Sequence, residues 1–336
     1  MDIDKYLNNL SQLNYEIIKT IHGYSRSYAK KLLFDDYDIL VDSLEFPSIL
    51  LTYITSKLRN RYIILWSEEW DWKDKRLLKR LLIPFKKYIV SNVSAILVPG
   101  TKHRDFFIEL GAAKENVYLM PNATNYPPKS VKQEIINSIQ NEYQLKNKKV
   151  ILYVGRLKER KGVNYLIRGF AHLWRERKDI ILLIIGRGDE KEHLECLISE
   201  LKCNDAVRLL GYVDDEILAA YYSLCNVCVI PSVVHGIGDP WVFTLNEAMS
   251  FGKPVIATDA VGAAYDLIES GENGYMIPER DDIAIYTALK TVFLNDYKEK
   301  SMGKKSLEMI HEKYQYKNMV DGFATALNDV MNTLKG

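Results

Sequence analysis

A chain of 336 residues exceeds the usual size of one hydrophobic core, so two domains of roughly 150 residues each are expected. With 47% hydrophobic and 26% charged residues, and 45 basic side chains against 44 acidic ones, the protein reads as globular, with no net electrostatic drive toward nucleic acid. The N-terminus MDIDKYLNNL lacks a basic segment followed by an apolar run, and no stretch reaches the ~18 uninterrupted apolar residues needed to span a bilayer, so a cytoplasmic protein is expected.

In chain order, the first clear strand signal is YDILV at Tyr37–Val41, followed by YIILW, AILVP and VYLMP. Polar or turn residues follow each run, and most lead into a segment with helical spacing, such as Phe106, Phe107 and Leu110; this is the signature of a parallel α/β sheet. Between Trp72 and Tyr88 lies WKDKRLLKRLLIPFKKY, where Lys73, Lys75, Arg76, Lys79, Arg80, Lys86 and Lys87 are set among leucines. A helix of that composition presents a basic face beside an apolar one. It suits either an anionic membrane surface or a helix packing its leucines inward, and Pro84 interrupts it. Peripheral, salt-sensitive attachment to the cytosolic face of a membrane is the expectation drawn from it. The beat breaks in NATNYPPKSVKQE, where two prolines and polar residues place a domain boundary near residue 130.

The second half carries VILYV, IILLIIG, VRLLG, VCVIPS, PVIAT and GYMIP as strands, again with helices between. Leu166, Ile167, Phe170 and Leu173 form the apolar face of the helix after VILYV. From about Asp296 to Gly336 the chain is amphipathic and helical without strands. Cys225 and Cys228 have C-x-x-C spacing, but in LCNVCVIPS they lie in a buried-strand pattern, where cysteines act as small hydrophobes; with Cys196 and Cys203 they receive no chemistry.

Ligands of open parallel sheets sit beyond the carboxyl ends of the strands, so the residues after each strand matter most. After VILYV comes GRLKERKGV: Gly155 permits a tight turn, and Arg156 and Lys161 flank a loop leading into a helix near Val163, which favours a dianionic group such as a diphosphate. After IILLIIG comes GRGDE, but Lys191 stands where a dinucleotide fingerprint needs its third glycine, so a nicotinamide site is rejected. After VCVIPS comes DPWVFTLNEAMSFGKPVIAT. A helix over Phe243–Met249 would point its first amides at the cleft, with Asp239 before it and Glu247 about one turn further in. A phosphate between two polyols would satisfy both acids, and a nucleotide sugar is such a ligand.

These motifs together, VILYVGRLKERKGV, VRLLGYV, DPWVFTLNEAMSFGKPVIATDAVGAAYDLI and GENGYMIP, resemble the retaining glycosyltransferases of family 4. That family has the GT-B fold, two facing Rossmann-like α/β domains with parallel sheets. The resemblance implies an acceptor-side domain over 1–130, shortened here, a nucleotide-sugar domain over 131–315, and a last helix over 316–336 crossing back toward the first domain. It implies that Arg156 and Lys161 hold the donor diphosphate beside the turn at Gly155, Glu247 the ribose, and Asp239 the hydroxyls of the transferred sugar. The amides of Phe243 and Thr244 would face the phosphate, and Tyr212 and Val213 would neighbour the nucleobase.

Asp239 and Val242 depart from the glutamate and glycine usual in the family, and Asn125 stands where an aspartate is common. Glu68, in WSEEWDW, occupies the place of a histidine that faces the reacting sugar, where a carboxylate would accept a hydrogen bond from substrate. By this resemblance the protein transfers a sugar with retention to a glycan or lipid-linked acceptor, in cell-surface polysaccharide or glycolipid synthesis, with no cofactor and no metal. A non-catalytic nucleotide-sugar-binding subunit that needs a partner is the alternative. A GT-B epimerase or phosphorylase is the third reading, against which the sequence shows neither an epimerase's acid constellation nor a phosphorylase's lysine site for pyridoxal phosphate.

Overall fold

A computed structural model describes residues 26–71, 81–124 and 131–335. The chain divides into two compact units, Met1–Trp66 and Ser67–Gly336.

In the first unit the described elements alternate: α1 (Arg26–Phe34), β1 (Ile39–Asp42), α2 (Ser48–Leu58) and β2 (Tyr62–Trp66). Strands β1 and β2 pair in parallel, with Ile39 opposite Tyr62 and Asp42 opposite Leu65. Two parallel strands need a crossover, and α2 supplies it, burying Ile49 and Tyr53.

The second unit opens with α3 (Ile83–Val90), β3 (Ala95–Val98), α4 (Thr101–Glu109) and β4 (Val117–Leu119), with β3 and β4 also parallel. Pro84 lies in the first turn of α3, where its missing N–H costs no hydrogen bond. Then come α5 (Gln133–Glu142), β5 (Lys149–Val154), α6 (Val163–Glu176), β6 (Ile180–Ile185), α7 (Lys191–Glu200), β7 (Val207–Gly211), α8 (Asp215–Leu224) and β8 (Val227–Ile230). The chain continues with α9 (Phe243–Ser250), β9 (Val255–Thr258), α10 (Ala264–Leu267), β10 (Gly274–Ile277), α11 (Asp282–Val292), α12 (Asp296–Lys313) and α13 (Tyr316–Lys335). Each apolar run read from the sequence is a strand.

Strands β5 to β10 form one parallel sheet in the order β10-β9-β8-β5-β6-β7. Its two faces are covered by different helices. Val150, Leu152, Ile181 and Leu183 pack with Leu245, Ala248 and Met249 of α9 on one side. Ile151, Tyr153, Ile180 and Leu182 pack with Leu166, Ile167 and Phe170 of α6 on the other. Continuous apolar runs, rather than alternating ones, are what a sheet covered on both faces demands. Helix α13 lies against β3 and β4: Tyr118 donates to the Asp329 carboxylate at 2.9 Å, and Gly322 sits so close to the Leu119 carbonyl that a Cβ would clash.

The strand order reverses between β5 and β8, which opens a crevice at their carboxyl ends. Gly162 closes the loop after β5 in the left-handed region (φ 62°) and packs directly on the Pro231 carbonyl after β8. Gly162→Ala adds a Cβ to both problems. The left-handed backbone alone costs about 1–2 kcal/mol, and the clash adds to it. Urea unfolding should show at least that loss; an unchanged midpoint would mean that the two loops separate freely.

Candidate functional site

The loop after β5 holds Gly155, Arg156, Arg160 and Lys161. Gly155 turns the chain out of the strand: its amide bonds the Ile185 carbonyl at 3.0 Å, and a Cβ would lie 2.7 Å from the Tyr153 hydroxyl, which donates to the Arg156 carbonyl at 2.9 Å. The Arg156 side chain is exposed and forms no ion pair among the described residues. Arg160 and Lys161 turn inward. A short 3-10 turn over Glu159–Lys161 carries them, and the Arg160 carbonyl accepts from the Val233 amide at 2.9 Å, so the loop is fastened to the one after β8.

That second loop brings Asp239, 4% exposed, against both cations. Arg160 reaches Oδ1, Lys161 Nζ meets Oδ2 at 2.5 Å, and the Ser232 hydroxyl donates to Oδ2 at 2.6 Å. The Asp239 main chain is equally held: its amide bonds the Ala260 carbonyl and its carbonyl accepts from Gly262, both at 2.8 Å. Burial alone would raise its pKa, but Lys161, Ser232 and Arg160 outweigh that and hold the carboxyl below its usual range. Burial lowers the Lys161 pKa, and Asp239 opposes the shift. Lys161 and Asp239, read from the sequence as contacts for different parts of a ligand, are here one ion pair. Arg160 and Lys161, two cations, face the single carboxylate of Asp239, and Arg156 on the same loop adds an exposed charge suited to an anion.

Helix α9 starts at Phe243 with Val242 as its N-cap, a residue with no side-chain acceptor, so the first amides have no capping partner. The Thr244 hydroxyl bonds the Val154 carbonyl at 3.2 Å, placing this open helix start at the end of β5, next to Gly155. Glu247 follows one turn on. Its Oε2 accepts from the Tyr222 hydroxyl at 2.6 Å, and burial raises its pKa while Tyr222 opposes the shift. Tyr212 and Val213 stand apart from this cluster, after β7: Val213 packs on the core, while Tyr212 is exposed with the Arg187 guanidinium 5.6 Å from its ring centroid. The glycines of GRGDE serve packing. Gly186 (φ 147°) lies against the Gly155 carbonyl and Gly188 against that of Leu157, so the loops after β5 and β6 touch along their backbones.

A second group of residues joins the segment 67–124 to the sheet. The Asn122 amide donates to Oε1 of Glu68 at 2.6 Å, and the Asn122 carbonyl accepts from the Asn246 amide at 3.0 Å. Trp241 donates its indole N–H to Asn246 at 3.0 Å. Both oxygens of Asp266, on α10, accept from the Thr101 amide at 3.0 Å, capping α4 from another element. Burial raises the Asp266 pKa, and the bonds from Thr101 pull it back. His103 is fully buried among Trp70, Trp241 and Gly262, with Nε2 at 3.1 Å from the Pro240 carbonyl.

Sequence reasoning missed Arg160, Ser232, Tyr222, Asn122, Asn246, His103 and Asp266. Arg160 alone left a signal, as the neighbour of Lys161 in ERKG. Cys228 lies in β8 and Cys225 at the end of α8 just before it; both are buried, and burial raises their thiol pKa values, to about 11 for Cys225. Of the basic segment, Lys73, Lys75, Arg76, Lys79 and Arg80 lie outside the described residues, as does Asn125. Lys86 pairs with Glu69 at 3.0 Å. No described helix is long and apolar enough to cross a membrane.

The sequence model of a family described as glycosyl transferases group 1 matches residues 135–309. An uncharacterized glycosyltransferase of Methanocaldococcus jannaschii is 31% identical over 173 residues, covering 52% of this chain and 43% of that protein. A phosphatidyl-myo-inositol mannosyltransferase of Mycobacterium leprae is 35% identical over 149 residues, 44% of this chain and 38% of that one. The match thus spans less than half the length of these relatives. Among solved structures, Anabaena HepE in complex with UDP-glucose superposes with a TM-score of 0.74 at 17% identity, covering 98% of this chain and 89% of that one.

His103 makes stability depend on pH. Burial lowers its pKa from 6.5 to about 4, so the fold holds the neutral ring and the unfolded chain binds the extra proton. This contribution is complete above pH ~6.5 and lost as pH falls toward about 4; at about 1.4 kcal/mol per pKa unit it amounts to about 3 kcal/mol. His103→Gln should flatten the pH dependence of thermal stability over that interval, and an unaltered slope would assign the acid sensitivity elsewhere.

Proposed function

The chain belongs to the glycosyl transferases group 1 family and has a GT-B fold, and on that premise we propose that it moves a sugar from a nucleoside-diphosphate donor to a glycan or lipid-linked acceptor, with retention at the anomeric carbon. One observation carries the reading. At the crevice between β5 and β8, the exposed Arg156, the inward Arg160 and Lys161, and the uncapped start of α9 surround the place where the strand order reverses. A diphosphate seated there would meet fixed positive charge and open amides, which stabilise a leaving group without reorganising solvent.

The two acids divide the remaining work. Glu247 has one oxygen on Tyr222; among the described residues the other has no partner and suits a ribose hydroxyl. Asp239 already accepts three hydrogen bonds from Arg160, Lys161 and Ser232, so it has room for about one sugar hydroxyl. In this reading the bond from the anomeric carbon to the diphosphate breaks on the face where the acceptor hydroxyl forms its new bond, and the acceptor proton passes to the departing diphosphate. Glu68 accepts a hydrogen bond from substrate on the acceptor side. Tyr212 and Val213 would neighbour the nucleobase in this reading, with the Arg187 guanidinium beside the Tyr212 ring. The likeness to the UDP-glucose complex makes UDP-sugars the first donors to test, and attachment to an anionic membrane surface would bring a lipid-linked acceptor within reach.

Arg156→Ala should lower transfer about 10²–10³-fold, the usual cost of one charge-assisted contact made in the transition state, with thermal stability unchanged. Lys161→Ala should lower activity similarly and also destabilise the fold, because Asp239 loses a buried partner. Steady-state kinetics and melting curves separate the two, and wild-type turnover in both variants would remove the diphosphate assignment. Binding of nucleotide sugars without transfer to any acceptor or to water would favour a non-catalytic subunit.

Glu247→Gln should weaken UDP by about 1–3 kcal/mol in calorimetry, as a charged acceptor becomes neutral. Equal affinity for UDP in the variant would move the ribose contact away from α9.

A further inference from the structure

One buried polar chain links Glu68 to the residue beside Glu247. It runs from Glu68 through Asn122 and Asn246 to Trp241. Asn246 is fully buried and Asn122 nearly so, at 3% exposure. Asn246 immediately precedes Glu247, and its own carbonyl accepts from the Ser250 hydroxyl at 2.7 Å.

Chemistry allows this chain one polarity. An indole N–H only donates, so the side-chain oxygen of Asn246 must face Trp241 and its NH2 group must face the Asn122 carbonyl. The NH2 group of Asn122 then meets a carboxylate oxygen of Glu68, which in its ionised form only accepts. Neither amide can turn over without setting two donors or two acceptors against each other. A buried polar chain is costly unless every member is satisfied, and here every link is made. A hydrophobic contact would have glued the segment 67–124 to α9 as well, but it would not have aimed a carboxylate.

We propose that Asn122 and Asn246 are positioning residues that hold Glu68 at a fixed offset from helix α9, so that the carboxylate on the acceptor side and the donor contacts at Thr244 and Glu247 keep register during transfer. The inference rests on the proposed glycosyl transfer and on the role of Glu68 within it. The amide of Asn122 occupies Oε1 of Glu68 and leaves Oε2, without a partner among the described residues, as the oxygen presented to substrate.

Asparagine-to-aspartate substitutions test this because they keep shape and reverse polarity. Asn122→Asp sets two carboxylates face to face; Asn246→Asp sets a carboxylate against the Asn122 carbonyl. The assay uses the member of a panel of UDP-, GDP- and dTDP-sugars that the wild type hydrolyses or transfers fastest, with UDP calorimetry alongside. Asn122→Asp should lower kcat roughly 10–100-fold, as a displacement of about 1 Å does, while UDP affinity stays within about twofold, the resolution of a coupling measurement. Glu68→Gln should lower kcat comparably. The double variant should be no slower than the slower single one, because the asparagine acts through the glutamate. Where Asn122→Asp does not fold, Asn122→Ala removes the same amide without adding charge.

Losses that multiply in the double variant, or a wild-type kcat in Asn122→Asp, overturn the inference while leaving the transferase reading standing. If the wild type neither hydrolyses nor transfers any sugar in the panel, the transferase reading falls and this inference falls with it.

Discussion

The carboxylate of Asp239, buried against Arg160, Lys161 and Ser232, is the interaction on which the site depends. A carboxylate taken out of water is tolerable only with a counter-charge in good geometry, and removing one partner of such a pair typically costs about 3–5 kcal/mol. Here one loop supplies the counter-charge and the other the carboxylate. Arg160 and Lys161 arrive from β5, Asp239 and Ser232 from β8, and the Val233 amide closes on the Arg160 carbonyl. Loops that elsewhere on a protein would be mobile are therefore held where the strand order reverses. The same loop then runs through Pro240 and Trp241 to Val242, whose side chain offers no acceptor and leaves the start of α9 open.

Glycine makes this closeness possible. At Gly162, Gly186 and Gly188 a Cβ would occupy the space of a neighbouring backbone carbonyl, so the loops after β5, β6 and β8 touch main chain to main chain. The G-x-G after β6 thus has a reason of its own, unconnected with a dinucleotide. Around the opposite rim, Trp70 lies over Gly238, and His103 bonds the carbonyl of Pro240, so the residues on both sides of Asp239 are fixed by groups from the segment 67–124. Buried groups with one allowed protonation state, such as His103, give this rim its sensitivity to acid.

Much of the fold was legible in the sequence. Each apolar run from YDILV to GYMIP became a strand, and in the sheet of β5 to β10, covered on both faces, uninterrupted apolar segments are what burial demands. The loops that matter were legible for a related reason: chemistry in such sheets collects after the strands, so Gly155, Arg156, Lys161, Asp239 and Glu247 stood out by position and type. Asn122, Asn246 and Asp266 did not. An asparagine in MPNATN or an aspartate in AAYDLI is an ordinary turn or helix residue until its partner is known.

The sequence by itself determined the strands, the helices and which loops would carry charge, because these follow from periodicities of two and 3.6 and from local turn chemistry. Only the tertiary structure decided which charges neutralise one another. Asp239 lies 78 positions from Lys161, Asp266 165 from Thr101, and Asn246 124 from Asn122, so no local pattern records these pairings. They form because desolvated polar groups must find partners once the chain is compact, and which partners are within reach is set by the sheet order.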